Sequence, residues 1–168
     1  MRAWGPVPIR LAARGLRMSF EDNTLIAFRP QDRTERTAAY CLTEASKLLL
    51  TWAETVGTRN VDAVLSLYAR DAILVPTLSD DVRDGEHDRR HYFESFLDND
   101  GISCGITVQK SRVSRRLGTV VIGGLYTFQI TRDGETSEVP ARFLFTFEEI
   151  EGRWLITGHH SSKAVEDV

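Results

Sequence analysis

Cysteine is scarce in this sequence, with two among 168 residues. A disulfide framework needs more, and Cys41 and Cys104 stand too far apart for the close thiolate pairs of a zinc site. Both are expected as buried thiols, which fits a reducing compartment and a cytoplasmic protein. No apolar run approaches the roughly 18 residues that cross a bilayer, so no membrane partner is expected. A basic excess is also missing. The 21 Lys and Arg stand against 24 Asp and Glu, for a net charge of −3, and a nucleic-acid binder wants the opposite balance. There is no glycine-rich phosphate loop, no Gly-x-Ser-x-Gly elbow, no close cysteine–histidine motif, no internal repeat and no low-complexity tract. The first 17 residues hold four arginines and no acid, but lack the apolar centre of a secretory signal. The chain is therefore expected to comprise a poorly ordered extension over 1–33, with Met18 as a second candidate start. One domain over 34–163 and a short tail over 164–168 complete it.

What is present is periodic. From Thr34 to Val56, apolar residues recur at helical spacing (Ala38, Leu42, Ala45, Leu49, Trp52, Val56), and Gly57 follows. Asn60 is placed to cap a short second helix. "AILVPT" (72–77) reads as a strand ending at proline, "LSDDVRDG" (78–85) as turn, and "EHDRRHYFESFL" (86–97) as a third helix burying Tyr92, Phe93, Phe96 and Leu97. Beyond "DNDG" the period changes to two. A long strand, "TVVIGGLYTFQIT" (119–131), contains a glycine pair that suggests a bend or bulge. "RDGE" makes an Asp-Gly hairpin, "EVPARFLFTFEEI" (138–150) returns, "EGR" turns again, and "WLITGHHSS" (154–162) closes the set. Helices first and a meander of strands last predict an α+β domain, with helices on one face of a curved antiparallel sheet.

Two histidines and two serines at the end of a strand call for an explanation. In a regular strand Trp154, Ile156, Gly158, His160 and Ser162 share one face, and Leu155, Thr157, His159 and Ser161 share the other. One histidine and one serine thus reach the concave side, and the sequence does not say which pair. Other polar residues are set among apolar ones. Thr77 follows Pro76 at the strand's open end. Arg142 falls on the side of Leu144 and Thr146, opposite Phe143, Phe145 and Phe147, where a cation wants a partner or an anion. Tyr92 and Tyr126 are expected to pack with their hydroxyls at a rim. His87 and His91 stand four apart on the third helix, at a spacing that can ligate zinc, but no His-Glu-x-x-His motif accompanies them.

Four phrases taken together resemble a known family: "VPTLSDDVR" (75–83), "YFESFL" (92–97), "GLYTF…VPARFLFTF" (124–147) and "WLITGHHSS". The sequence resembles bacterial and algal relatives of the calcium/calmodulin-dependent protein kinase II association domain, over about residues 36–162. The resemblance implies the cone-shaped fold of the nuclear-transport-factor-2-like and SnoaL-like superfamily. Within that group, a His-His-Ser-Ser ending is similar to the iota-class carbonic anhydrases, some of which are thought to work without metal. That similarity implies substrate contacts from Thr77, Tyr92 and Ser162, with His160, on the same face as Ser162, beside them as proton carrier. Tyr126, Arg142, His159 and Ser161 are weaker substrate-binding candidates.

The leading expectation is accordingly a carbonic anhydrase, a lyase hydrating CO2 to bicarbonate in a polar pocket without cofactor; zinc is the rival. CO2, bicarbonate or another small anion is the expected small-molecule partner. A second expectation is a non-catalytic oligomerisation or ligand-binding module. A third is a SnoaL-like isomerase or cyclase, which would need an inward carboxylate; the acids instead cluster in turns and charged segments (Asp80, Asp81, Asp84, Glu86, Asp88). Apolar positions on both faces of several strands predict a homodimer or larger ring.

Overall fold

The computed structural model describes residues 37–77, 79 and 81–164. The expected extension over 1–33, Met18 within it, and the tail beyond Ala164 lie outside the described residues, as does Asp80. Helix α1 (Ala38–Gly57) begins where the Thr37 side chain accepts from the Tyr40 N–H at 3.1 Å, a capping bond that satisfies one orphan donor of the first turn. Its apolar stripe, Cys41, Ala45, Leu49, Trp52, Ala53 and Val56, is buried. Asn60 caps α2 (Val61–Leu65) through the Ala63 N–H at 2.9 Å, as its position in the sequence predicts. Strand β1 (Tyr68–Val75) follows, then α3 (Glu86–Phe96). Of the four residues expected to be buried by α3, Phe93 and Leu97 are buried, while Tyr92 and Phe96 are partly covered.

Four long strands complete the chain: β2 (Gly101–Ser114), β3 (Thr119–Arg132), β4 (Glu135–Ile150) and β5 (Arg153–Lys163). Both tight turns between the last three strands use paired left-handed residues, Asp133 with Gly134 and Glu151 with Gly152, the geometry that matches the twist of a two-residue hairpin. The sheet order is β1-β5-β4-β3-β2. β2 to β5 form the expected antiparallel meander. β1 departs from it, pairing with β5 in parallel and placing Leu74 opposite His159 and Val75 opposite His160. Helices lead in sequence and pack on one face of a curved sheet, so the fold is the α+β cone.

The glycine pair in β3 marks a bulge in its neighbour. Register shifts between Ile106 and Val108 of β2, and a Cβ on Gly124 would fall 1.8 Å from the Val108 carbonyl oxygen. Only glycine lets the two backbones approach this closely. On the concave side, α1 inserts Trp52 among aromatic rings from three strands. Its ring lies 6.0 Å from Tyr126, 5.0 Å from Phe145 and 5.1 Å from His159. Arg89 of α3 is 1% exposed, and among the described residues it forms no ion pair with a carboxylate. Its guanidinium donates to the carbonyls of Ala69 (2.9 Å), Arg70 (2.8 Å) and Ala72. Those carbonyls belong to the stretch of β1 where register with β5 shifts, between Tyr68 and Ile73. Arg89 thus supplies donors that the sheet ladder does not, as buried carbonyls require.

Candidate active site

β5 decides which polar groups face inward, and it is not regular. Phe147 of β4 pairs with Ile156, while the adjacent Thr146 pairs with Gly158. Thr157 is therefore an extra residue, a bulge, and it reverses the alternation of faces beyond it. Ile156, His159 and Ser161 are all buried, whereas His160 is exposed. This corrects the expected placement of His160 and Ser162 beside the pocket: they share the outer face with Arg142 and Leu144, their partners on β4. A strand without the bulge would have aimed His160 inward with Ile156.

Ser161 is the centre of a hydroxyl cluster. It accepts from the Tyr126 O–H of β3 and bonds the Thr77 hydroxyl. Thr77 arrives there because β1 runs parallel to β5 and ends just past the Val75–His160 pair. Tyr92, on α3, closes the same space with its ring stacked on Phe96 at 5.5 Å. Thr77, Tyr92, Tyr126, His159 and Ser161 together line one cavity of about 40 Å³. The rest of its wall is apolar: Trp52, Phe93, Phe96, Phe128, Ile130 and Val139. That volume holds roughly two or three water-sized groups.

His159 is fixed on three sides. Phe145 stacks on its ring at 3.9 Å, Trp52 meets it edge-on, and the Tyr68 hydroxyl lies 2.8 Å from Nδ1. Tyr68 in turn accepts from the Trp52 indole N–H at 2.9 Å. The imidazole Nε2 is buried without a partner among the described residues. Arg142 is exposed on the outer face, along a shallow groove with Lys110, Arg112, Leu125 and Leu144, away from the hydroxyls. His87 and His91 are both exposed, and among the described residues no three His, Cys, Asp or Glu side chains come together as metal ligands would. No helix of the described residues is long and apolar enough to cross a membrane.

With this geometry in view, relatives can be compared. Residues 42–165 match the calcium/calmodulin dependent protein kinase II association domain family. The chain belongs to that family. A crystal structure assigned to the same association domain, from Xanthomonas campestris, is 37% identical, with a TM-score of 0.69 over 74% of this chain and 88% of that one. Two more distant structures share the fold. One is a nuclear-transport-factor-2-like protein from Streptomyces avermitilis named for a dehydratase (13% identity, TM-score 0.70, 77% of this chain and 100% of that one). The other is a superfamily member from Salmonella enterica (11% identity, TM-score 0.69, 77% and 95%). No curated protein matches the chain.

In this association-domain chain the cavity is electrically neutral. Burial pushes the Tyr92 and Tyr126 hydroxyls well up, opposed at Tyr92 by the charge of Arg83 and at Tyr126 by the bond to Ser161. Burial also pushes Tyr68 far up, against the bond from Trp52. Burial, then the neighbouring His160, lowers His159 to about 3. The cavity therefore presents O–H and N–H groups and no formal charge near neutral pH, since desolvation favours the neutral form of each. Trp52, Tyr68 and Arg89 are not among the site candidates read from the sequence. Tyr68 and Trp52 sit at positions that read as ordinary core, and Arg89 lies in a charged segment that reads as surface.

Proposed function

We propose that the chain is a carbonic anhydrase of iota type, hydrating CO2 reversibly in the concave cavity without a resident metal. The observation that carries this reading is the convergence of Thr77, Tyr92, Tyr126 and Ser161 hydroxyls, with the His159 imidazole, on an otherwise apolar cavity of about 40 Å³. An apolar wall suits a small nonpolar substrate, and hydroxyl donors suit the charge that develops on its oxygens. The family resemblance supplies the reaction, and the residue set is compatible with it.

The neutral cavity shapes the mechanism. A histidine lowered to about 3 is a poor base near neutral pH, so it does not carry the proton of the attacking water. The step that fits is addition of hydroxide to CO2. One C–O bond forms, a C=O π pair moves onto oxygen, and bicarbonate results with no proton left to place. Donors from Thr77 or Ser161, from Tyr92 and from His159 stabilise the oxygens that gain charge, each in place before the reaction. Because none of the described residues puts a cation in the cavity wall, bicarbonate is held there by hydrogen bonds and leaves readily. A reducing, cytoplasmic setting belongs to the same proposal and accords with two free thiols.

Stopped-flow CO2 hydration on metal-stripped protein tests the proposal. A rate above buffer that falls in Ser161→Ala and Tyr92→Phe is expected. No rate in wild type, or unchanged rates in both variants, ends it, and activity that returns only with zinc transfers it to the metal-dependent form.

A second reading, an assembly module, draws on the outer face. Ile73 (50% exposed), Val108 (42%), Leu125 (42%) and Leu144 (48%) are all apolar and open there, more than a lone domain gains from leaving in water. A homodimer or larger ring by light scattering that dissociates in Leu144→Glu, with no hydration activity, would favour this reading. A carboxylate-based isomerase has less support, since among the described residues no Asp or Glu lines the cavity.

A further inference from the structure

The hydrogen bonds behind His159 have a direction. An indole N–H only donates, so the Tyr68 oxygen accepts from Trp52 at 2.9 Å. Tyr68 has one hydrogen of its own, and the partner found for it is His159 Nδ1 at 2.8 Å. Were Nδ1 protonated, it would donate to the Tyr68 oxygen. The Tyr68 hydrogen would then lack an acceptor in a position 6% exposed, and Nε2 would be a buried lone pair. With Nδ1 as acceptor, the Trp52 N–H, the Tyr68 hydroxyl and Nδ1 are all satisfied, and Nε2–H alone of this relay is not. That atom is shut from bulk water and meets no partner among the described residues, yet its residue lines the cavity. The stacked Phe145 and edge-on Trp52 leave the ring little freedom to turn away. A buried donor without an acceptor is costly, which makes it a place that a ligand atom completes.

We infer that Trp52 and Tyr68 are positioning residues that hold His159 as a fixed, neutral Nε2–H donor to an oxygen of the molecule bound in the cavity. This rests on the cavity being the substrate site. It gives His159 the part of an oxyanion donor in place of a proton carrier. It also narrows the ligands: the molecule must offer an acceptor oxygen at Nε2, so an ammonium or other donor-only group is excluded there. CO2 and bicarbonate both satisfy it.

Nitrogen-15 NMR of the histidine-labelled full chain reads the tautomer directly, with bicarbonate as the probe. A pyridine-type signal at Nδ1 and a pyrrole-type signal at Nε2 are expected for His159, and saturating bicarbonate should shift the Nε2–H resonance. In Tyr68→Phe the Nδ1 partner is gone. The two tautomers should then mix and kcat should fall about tenfold, the low end of the usual loss for one oxyanion donor. His159→Gln, which keeps an N–H donor, should retain more activity than His159→Leu. An Nδ1–H tautomer in wild type overturns the inference, as does an Nε2 signal that bicarbonate leaves unmoved in an active enzyme. A shifted Nε2 signal in protein without hydration activity upholds the donor and removes only the enzymatic reading.

Discussion

Acid should destabilise this fold through a single side chain. His159 is 6% exposed and its pKa is lowered to about 3, whereas an unfolded histidine titrates near 6.5. Below that value the unfolded chain binds a proton that the native state refuses, so stability falls as pH drops from about 6.5 toward 3. Two-state linkage puts the loss at about 1 kcal/mol between about pH 7 and 5.5, and at about 2.5 kcal/mol by about pH 4.5. Protonating Nδ1 would also forfeit its role as acceptor for Tyr68. The assay is urea unfolding, followed by tryptophan fluorescence at those three pH values, of wild type and His159→Gln. The double difference between the two proteins reads the contribution of residue 159. The variant is expected to start less stable and to lose less on acidification. Parallel pH dependences would refute the reasoning, because they would mean that position 159 carries no buried neutral imidazole.

Four other outcomes follow from the geometry. Ser161→Ala should lower kcat for CO2 hydration at least tenfold, while Ser162→Ala on the outer face should stay within about twofold, read by stopped flow. Arg89→Met strands the carbonyls of Ala69, Arg70 and Ala72. It should cost about 3 kcal/mol, or roughly 10 °C in Tm by calorimetry; an unchanged Tm would show that those carbonyls find other donors. Gly124→Ala forces a Cβ to within 1.8 Å of the Val108 oxygen and should cost about 3 kcal/mol or prevent folding, whereas Gly158→Ala, 3.3 Å from the Thr146 hydroxyl, should cost much less in the same melt. Burial pushes the Cys104 thiol up to about 12, so maleimide should label it slowly near neutral pH in the native protein and quickly after unfolding.

Most of the architecture was legible because it depends on local chemistry. The buried stripe of Ala45, Leu49, Trp52 and Val56, the Asn60 cap and the Asp133–Gly134 turn each follow from a few neighbouring residues, whereas Ala38, expected in the same stripe, is exposed at the first turn. The α+β order followed from the change of period between α3 and β2. Long-range pairing was less accessible. That β1 joins β5 in parallel is set by the approach of segments some 85 residues apart, and nothing local in "AILVPT" announces it. Arg89 was unreadable for the same reason. Its neighbours in sequence are charged and solvated, but its partners are carbonyls of β1, exposed by a register shift that the sequence does not display.

The site hangs on one residue more in β5 than in the matching stretch of β4. With strict alternation, buried Ile156 would bring Gly158, His160 and Ser162 inward, and those are the histidine and serine to which the resemblance assigned roles. Thr157 is inserted between the Phe147–Ile156 and Thr146–Gly158 pairs, so His159 and Ser161 come inward in their stead. Both faces carry one histidine and one serine, so composition is the same whichever way the strand is read, and the hydrophobic pattern, which fixes parity elsewhere in the sheet, is silent beyond Gly158. Tertiary partners decide it. Tyr68 offers an oxygen to His159 Nδ1, and Thr77 with Tyr126 surrounds Ser161. On the outer face His160 and Ser162 pair with Leu144 and Arg142 and find no such cluster. If Thr157 were deleted, Gly158 would follow Ile156 directly and stay opposite Thr146, β5 would regain strict alternation, and His159 and Ser161 would remain inward with their bonds to Tyr68 and Tyr126 kept. A crystal structure of the deletion variant tests this. His160 and Ser162 on the inner face would refute it, because β5 would then have kept a bulge without its extra residue and moved its register by one.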